Sequence, residues 1–193
     1  MKTVFTVRRE QHIHKRLRVG GVAVGAVLAA VCAPTLAFVL IVTVVLCAIG
    51  VAAAGVYPAA PELLLLAGIL ASITMSLLGV WITRFARTAE SIQLIGFIPL
   101  FLLVFGSGAM IPLEFMADRF AQVVWFSPLA PLVDLFRAAY FGADFFGGRV
   151  TQVPPLDRLE LWTAALPALG VSLAWALISC HLVRSVPWTA RRT

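Results

Sequence analysis

Residues 93–143 read QLIGFIPLFLLVFGSGAMIPLEFMADRFAQVVWFSPLAPLVDLFRAAYFGA. The first part is an apolar run without charge that ends in the Gly-Ser-Gly of residues 106–108. Two short segments with apolar residues at helical spacing follow, separated by the Ser-Pro of residues 127–128. This order predicts a membrane span that leads directly into a pair of half-buried helices.

The composition is that of an integral membrane protein. Of the 193 residues, 61% are hydrophobic and only 12% are charged, whereas a soluble domain has about 25% charged residues. The net charge is +6, which is compatible either with nucleic-acid binding or with the cytoplasmic flanks of membrane spans. Three cysteines lie singly inside apolar runs without CxxC spacing, so we expect buried thiols and neither disulfides nor a zinc site.

Long uncharged runs predict the membrane spans. The first, residues 19–61, has 43 residues, too many for one span of about 20 and slightly few for two with a turn. We predict an interfacial elbow at about 20–30 followed by one span, and a two-span hairpin turning near Pro34 is the alternative. The predicted spans are about 31–51, 63–83, 91–113 and 161–183.

The distribution of basic residues predicts the orientation. With the N-terminus inside, eleven of the 15 basic residues fall on one side of the membrane, and an excess of Lys and Arg marks the cytoplasmic side. Residues 1–30 are therefore expected to form a basic cytoplasmic and interfacial segment, held by anionic lipid or by a partner. Residues 114–160, which hold six of the nine acids, are expected outside the cell. Topology accounts for the basic excess, so no nucleic-acid partner is expected.

The outer segment contains two apolar stripes at helical spacing. Asp134 and Arg137, three residues apart, are predicted on the face opposite the second stripe and within reach of each other. Each helix is too short and too charged to span, so we expect both to lie at the surface or to dip partly into the membrane. The stripes comprise Met116, Phe120, Val123 and Val124, and then Leu132, Leu135, Phe136, Ala139 and Tyr140.

No catalytic or metal-binding constellation is expected. Ser107 and His181 are predicted at different depths of the membrane, which excludes a Ser-His dyad. His12 and His14, two residues apart, do not share a helix face. The chain has no GxxxxGK[ST] motif for ATP. None of the predicted spans has a charged residue at its middle, which disfavours an ion-coupled transporter.

Three stretches together resemble the membrane subunit, or permease, of type-2 ABC exporters. The cytoplasmic segment with Arg9-Glu10 and then KRLR at residues 15–18 resembles the segment that precedes the family's third span. Residues 107–116, with SG, IP and then EFM, resemble the signature at the outer end of its fifth span. Residues 127–137, with SPL, VD and R, resemble its outer helix.

The uncharged runs and the two apolar stripes predict an all-α, polytopic transmembrane bundle in one domain over residues 1–193, which agrees with the resemblance. It has about four spans, an N-terminal cytoplasmic interfacial helix and two short extracellular or re-entrant helices. Family members have six spans, so we expect that the first two are missing from this chain.

The resemblance also implies partners and site residues. The chain would pair with a second permease subunit, identical or different, and with a cytoplasmic ATPase that binds ATP and Mg²⁺, while itself binding no cofactor. Hydrolysis would drive export of a hydrophobic or amphipathic substrate. Candidate ATPase contacts are Arg8, Arg9, Glu10, Lys15, Arg16 and Arg18, and candidate outer-gate residues are Ser107, Gly108, Pro112, Glu114, Pro128, Asp134 and Arg137. The alternative is a non-transporting scaffold or assembly subunit, or a truncated remnant of such a permease.

Overall fold

A computed structural model describes residues 24–86, 89–111, 113–146 and 156–185. Within these ranges the chain is helical, as predicted, and contains no strand. Short 3₁₀ turns follow the second helix at Thr83–Phe85 and the third at Leu113–Phe115. The helices are α1 (Val24–Ala54), α2 (Pro61–Ile82), α3 (Ala89–Gly106), α4 (Asp118–Trp125), α5 (Ala130–Phe141) and α6 (Arg158–Arg184).

The first apolar run forms a single helix rather than a two-span hairpin. α1 continues for 31 residues and passes through Pro34 without a turn. Residues 24–30, predicted as part of an interfacial elbow, already belong to this helix. Apolar surroundings explain the difference, because backbone N–H and C=O groups must pair there and a helix pairs them within one segment.

Three helices are long and apolar enough to cross a membrane, and they lie at Gly25–Ala54, Pro61–Phe85 and Arg158–Arg184. The third predicted span is shorter than expected, because α3 ends at Gly106 rather than near residue 113. Its 18 residues extend about 27 Å, slightly less than a hydrocarbon core of about 30 Å. Gly108, at φ 81°, adopts a left-handed conformation that ends helices.

α2 and α6 run in the same direction along their whole length. At one end the Arg158 guanidinium lies 2.8 Å from the Glu62 carboxylate. At the other end Arg84 donates a hydrogen bond of 2.8 Å to the hydroxyl of Ser185. These two contacts define the "Glu62 end" and the "Arg84 end" of the bundle.

The main core lies between α2, α5 and α6. About half of its residues are alanines, which let the helix backbones approach closely, as is typical of membrane helix pairs. In contrast, none of the most apolar part of α1 is buried in the chain, and α3 exposes most of its large side chains. The core comprises Ala60, Leu63, Leu64, Ala67, Leu70, Leu132, Leu135, Ala138, Ala139, Leu161, Ala165, Ala168 and Ala176.

Candidate functional site

The two short helices form a hairpin, defined as residues 118–141, with its tip at residues 126–129. At the end of α5 the hairpin is level with the start of α2, because the N–H of Ala60 donates to the carbonyl of Ala139 at 2.9 Å. The C-terminal end of α5 therefore lies at the Glu62 end of the bundle.

The tip of the hairpin lies far from that end. The indole N–H of Trp175 donates to the carbonyl of Phe126 at 2.7 Å. Trp175 is seventeen residues along α6 from Arg158, a distance of about 25 Å. α5 itself, with 12 residues, covers about 18 Å of this depth. The hairpin therefore lies along α6, with its tip well away from the Glu62 end, and does not lie across that end of the bundle.

Local sequence features explain why α5 begins and ends where it does. The Ser127 hydroxyl accepts a hydrogen bond of 3.3 Å from the N–H of Ala130, and Pro131 occupies the first turn, where its missing N–H has no intrahelical role. Gly142 ends the helix with φ 66°. A Cβ at this position would lie 2.9 Å from the Cβ of Ala59, so both backbone angle and space require glycine.

Asp134 is buried inside the hairpin, with 2% exposure. Its Oδ2 accepts a hydrogen bond of 2.9 Å from the indole N–H of Trp125, across the tip. Asp134 was predicted on the face opposite the apolar stripe, yet it is buried as deeply as Leu132 of that stripe. A buried carboxylate needs hydrogen-bond donors, and Trp125 on the neighbouring helix supplies one of them.

Arg137 connects the hairpin to the end of α3. Its Nη2 donates a hydrogen bond of 2.6 Å to the carbonyl of Gly108. Asp134 and Arg137, predicted within reach of one another, each make a hydrogen bond to a different segment of the chain. The long apolar helices themselves have no charged residue at their middle.

The other candidate outer-gate residues lie around these contacts. Ser107 is fully buried, and its hydroxyl donates to the carbonyl of Val104 at 3.1 Å, the bond of a helix-terminal serine rather than of a nucleophile. Pro128 is buried at the tip. Gly108 is buried, and a Cβ there would lie 3.0 Å from Leu113.

Several predicted site residues lie outside the described residues. Pro112 and the side chain of Glu114 are among them. So are all the candidate ATPase contacts, namely Arg8, Arg9, Glu10, Lys15, Arg16 and Arg18. Within the described ranges, no group of three His, Cys, Asp or Glu side chains could hold a metal ion.

Two tryptophans of this site were not singled out from the sequence. Trp125 and Trp175 each carry an N–H that needs an acceptor when it is buried in an apolar layer. This requirement could have marked both tryptophans in the sequence as hydrogen-bond donors. Their acceptors, however, are 9 and 49 residues away in sequence. Only the folded hairpin identifies them.

Comparison with known proteins gives one match. The family described as ABC-2 type transporter matches residues 1–141, from the basic N-terminal segment to the last residue of α5. No curated protein and no solved structure matches the chain. The family match covers most of the chain and includes the whole hairpin, and the long apolar helices are those of a multi-pass membrane protein. The chain therefore belongs to the ABC-2 type transporter family, as a membrane-embedded permease component of an ABC transporter.

Proposed function

We propose that the chain is the membrane subunit of an ABC exporter. A separate cytoplasmic ATPase subunit binds ATP and Mg²⁺ and hydrolyses ATP, while this chain binds no cofactor and forms part of the substrate path. A second permease subunit, identical or different, completes the path. The observation that carries the proposal is the hairpin, whose tip lies along α6 and which bonds to Gly108, just after α3, and to Trp175 in α6.

In this proposal the hairpin is the outer gate. Arg137 and Asp134 bring hydrogen bonds to a depth where polar groups are expensive and mark functional positions. Their contacts join the hairpin to the end of α3 and join its two helices to each other. The hairpin is held by these few hydrogen bonds. It would close the substrate path while they are made and open it when they break. The exposed apolar surfaces of α1 and α3 are compatible with lipid and with a hydrophobic or amphipathic substrate.

We further propose that the Glu62 end lies outside the cell and that both termini are cytoplasmic in the cell membrane. Arg84 and Arg184 lie at the opposite end of the bundle, which supports this orientation through the positive-inside rule. A fluorescent-protein fusion at the C-terminus is expected to fluoresce. A fusion that is dark there, yet active as a periplasmic or extracellular reporter, would reverse the orientation.

The ATPase partner is proposed to dock on the basic segment of residues 8–18. Affinity purification of the full chain from the membranes of its own cells is expected to recover a P-loop ATPase. Replacing Arg8, Arg9, Lys15 and Arg16 together by alanine is expected to lower that recovery about tenfold, because several charge contacts of one interface are lost. Recovery is measured by quantitative mass spectrometry and by ATPase activity.

The tail supplies a matched control. Arg191 and Arg192 are also basic and are predicted on the same side of the membrane, so their replacement by alanine should leave recovery unchanged. Unchanged recovery with the N-terminal variant would remove the docking role from residues 8–18. If the unsubstituted chain recovers no P-loop ATPase, the exporter proposal fails and a non-transporting scaffold or assembly subunit becomes the better account.

A further inference from the structure

The tip of the hairpin places an interrupted stretch of backbone inside an apolar layer. α4 ends at Trp125, and the chain turns through residues 126–129 before α5 begins. Carbonyl groups at a helix end have no partner within the helix. Non-helical backbone at membrane depth is tolerated only where protein or water satisfies it. The Phe126 carbonyl is one of these groups.

α6 provides the donor for this carbonyl. The indole N–H of Trp175 reaches the Phe126 carbonyl at 2.7 Å, a short and well-formed bond. The rest of α6 near this depth offers small or apolar side chains, such as Ser172, Ala176 and Ser179. The Ser179 hydroxyl already bonds to the carbonyl of Trp175 in its own helix. Trp175 is therefore suited to hold the tip of the hairpin against α6.

The other hydrogen bonds of the hairpin act at different places. The bond from Trp125 to Asp134 joins α4 to α5 and makes no contact outside the hairpin. The bond from Arg137 fixes α5 to Gly108 at the end of α3. Trp175 differs from both, because it joins the tip to a neighbouring long helix.

We propose that Trp175 is a positioning residue that holds the tip of the hairpin against α6. Without the indole N–H, the tip opens more often and water reaches it. This inference rests on the proposed function, in which the hairpin is the gate. Trp175 determines how firmly the tip of that gate is held against α6.

The test is the chemical accessibility of the tip. Leu129, a half-buried residue of the tip, is replaced by cysteine in a full chain whose three native cysteines are replaced by alanine. The rate of modification by a membrane-impermeant methanethiosulfonate is measured in reconstituted vesicles. W175F is expected to raise this rate about fivefold, the change in an opening equilibrium that one hydrogen bond of ordinary net strength gives.

Trp81 offers a matched control. Its indole nitrogen is buried, and it has no hydrogen-bond partner among the described residues. W81F therefore removes the same atoms from another half-buried tryptophan without breaking a hydrogen bond, and the Leu129→Cys rate should stay at the starting value. An equal rise in both variants would show general loosening of the bundle and would overturn the proposal.

A second variant separates the N–H from the bulk of the ring. Trp175→His keeps a ring N–H donor, and it is expected to hold the rate closer to the unsubstituted value than W175F does. A rate as high as that of W175F, or no rise in W175F itself, overturns the proposal. The assay needs neither ATPase nor substrate, so its result is independent of the result of the ATPase recovery experiment.

Discussion

Gly142→Ala is expected to lower the free energy of unfolding by about 2–5 kcal/mol. Alanine in the left-handed conformation costs about 1–2 kcal/mol, and overpacking adds about 1–3 kcal/mol. Gly142 has φ 66°, and its Cβ would meet that of Ala59 at 2.9 Å. The backbone at Ala59 also bonds to the end of α5, so neither side can move away easily. Chemical unfolding in detergent micelles measures the loss.

Two other glycines separate the two costs of Gly142→Ala, the left-handed backbone conformation and the steric clash with Ala59. Gly55 has φ 65° but nothing within 4 Å of a Cβ, so Gly55→Ala should show only the conformational cost of about 1–2 kcal/mol. Gly170 is helical and also has open space, so Gly170→Ala should stabilise the chain by up to about 1 kcal/mol. Equal losses at Gly142 and Gly55 would contradict the tight approach of α5 to the start of α2.

Arg137→Met is expected to destabilise the chain by about 1.5–3 kcal/mol, the range for a hydrogen bond from a charged group. The carbonyl of Gly108 loses its donor at the point where α3 ends. Because α3 makes few other contacts with the bundle, its end should loosen first. Hydrogen exchange in peptides covering residues 101–111 is expected to rise, while exchange in α2 stays unchanged.

The control for Arg137 is Arg119, an exposed arginine of the same hairpin. Arg119→Met should change stability by less than about 0.5 kcal/mol. Arg137→Lys keeps the positive charge but loses the planar set of guanidinium N–H donors. We therefore expect a loss of stability smaller than that of Arg137→Met. If the variants Arg137→Met and Arg119→Met behave alike, the bond to Gly108 does not hold the end of α3.

The sequence predicted those features of the fold that depend on residues close to one another in the chain. Uncharged runs located α2 and α6 within a few residues, because the membrane selects for apolar composition over a fixed length. The stripe of Leu132, Leu135 and Ala139 predicted the buried face of α5, and all three are buried. Pro131 predicted its first turn.

The depth of the hairpin could not be predicted in the same way. The stripe of α4 was predicted as one apolar face, yet Phe120 and Val123 are 54% and 73% exposed, and Ala121 is buried instead. Burial of Asp134 depends on the hydrogen bond from Trp125. The position of the tip depends on the hydrogen bond from Trp175 to Phe126, which are 49 residues apart in sequence. Such pairings arise from how α4 and α5 pack against the long helices, which helical periodicity alone does not encode.

The depth of the tip tests the account most directly. Phe126 at the tip and Phe141 at the end of α5 have almost equal side-chain exposure, 60% and 59%. A nitroxide is attached at either position in the full chain, and its depth in a bilayer is measured by power saturation with oxygen and with a water-soluble nickel chelate. We predict that the label at position 126 lies about 18 Å deeper than the label at position 141, the length of α5. Equal depths at the membrane surface would contradict the re-entrant hairpin and the gate proposed for it.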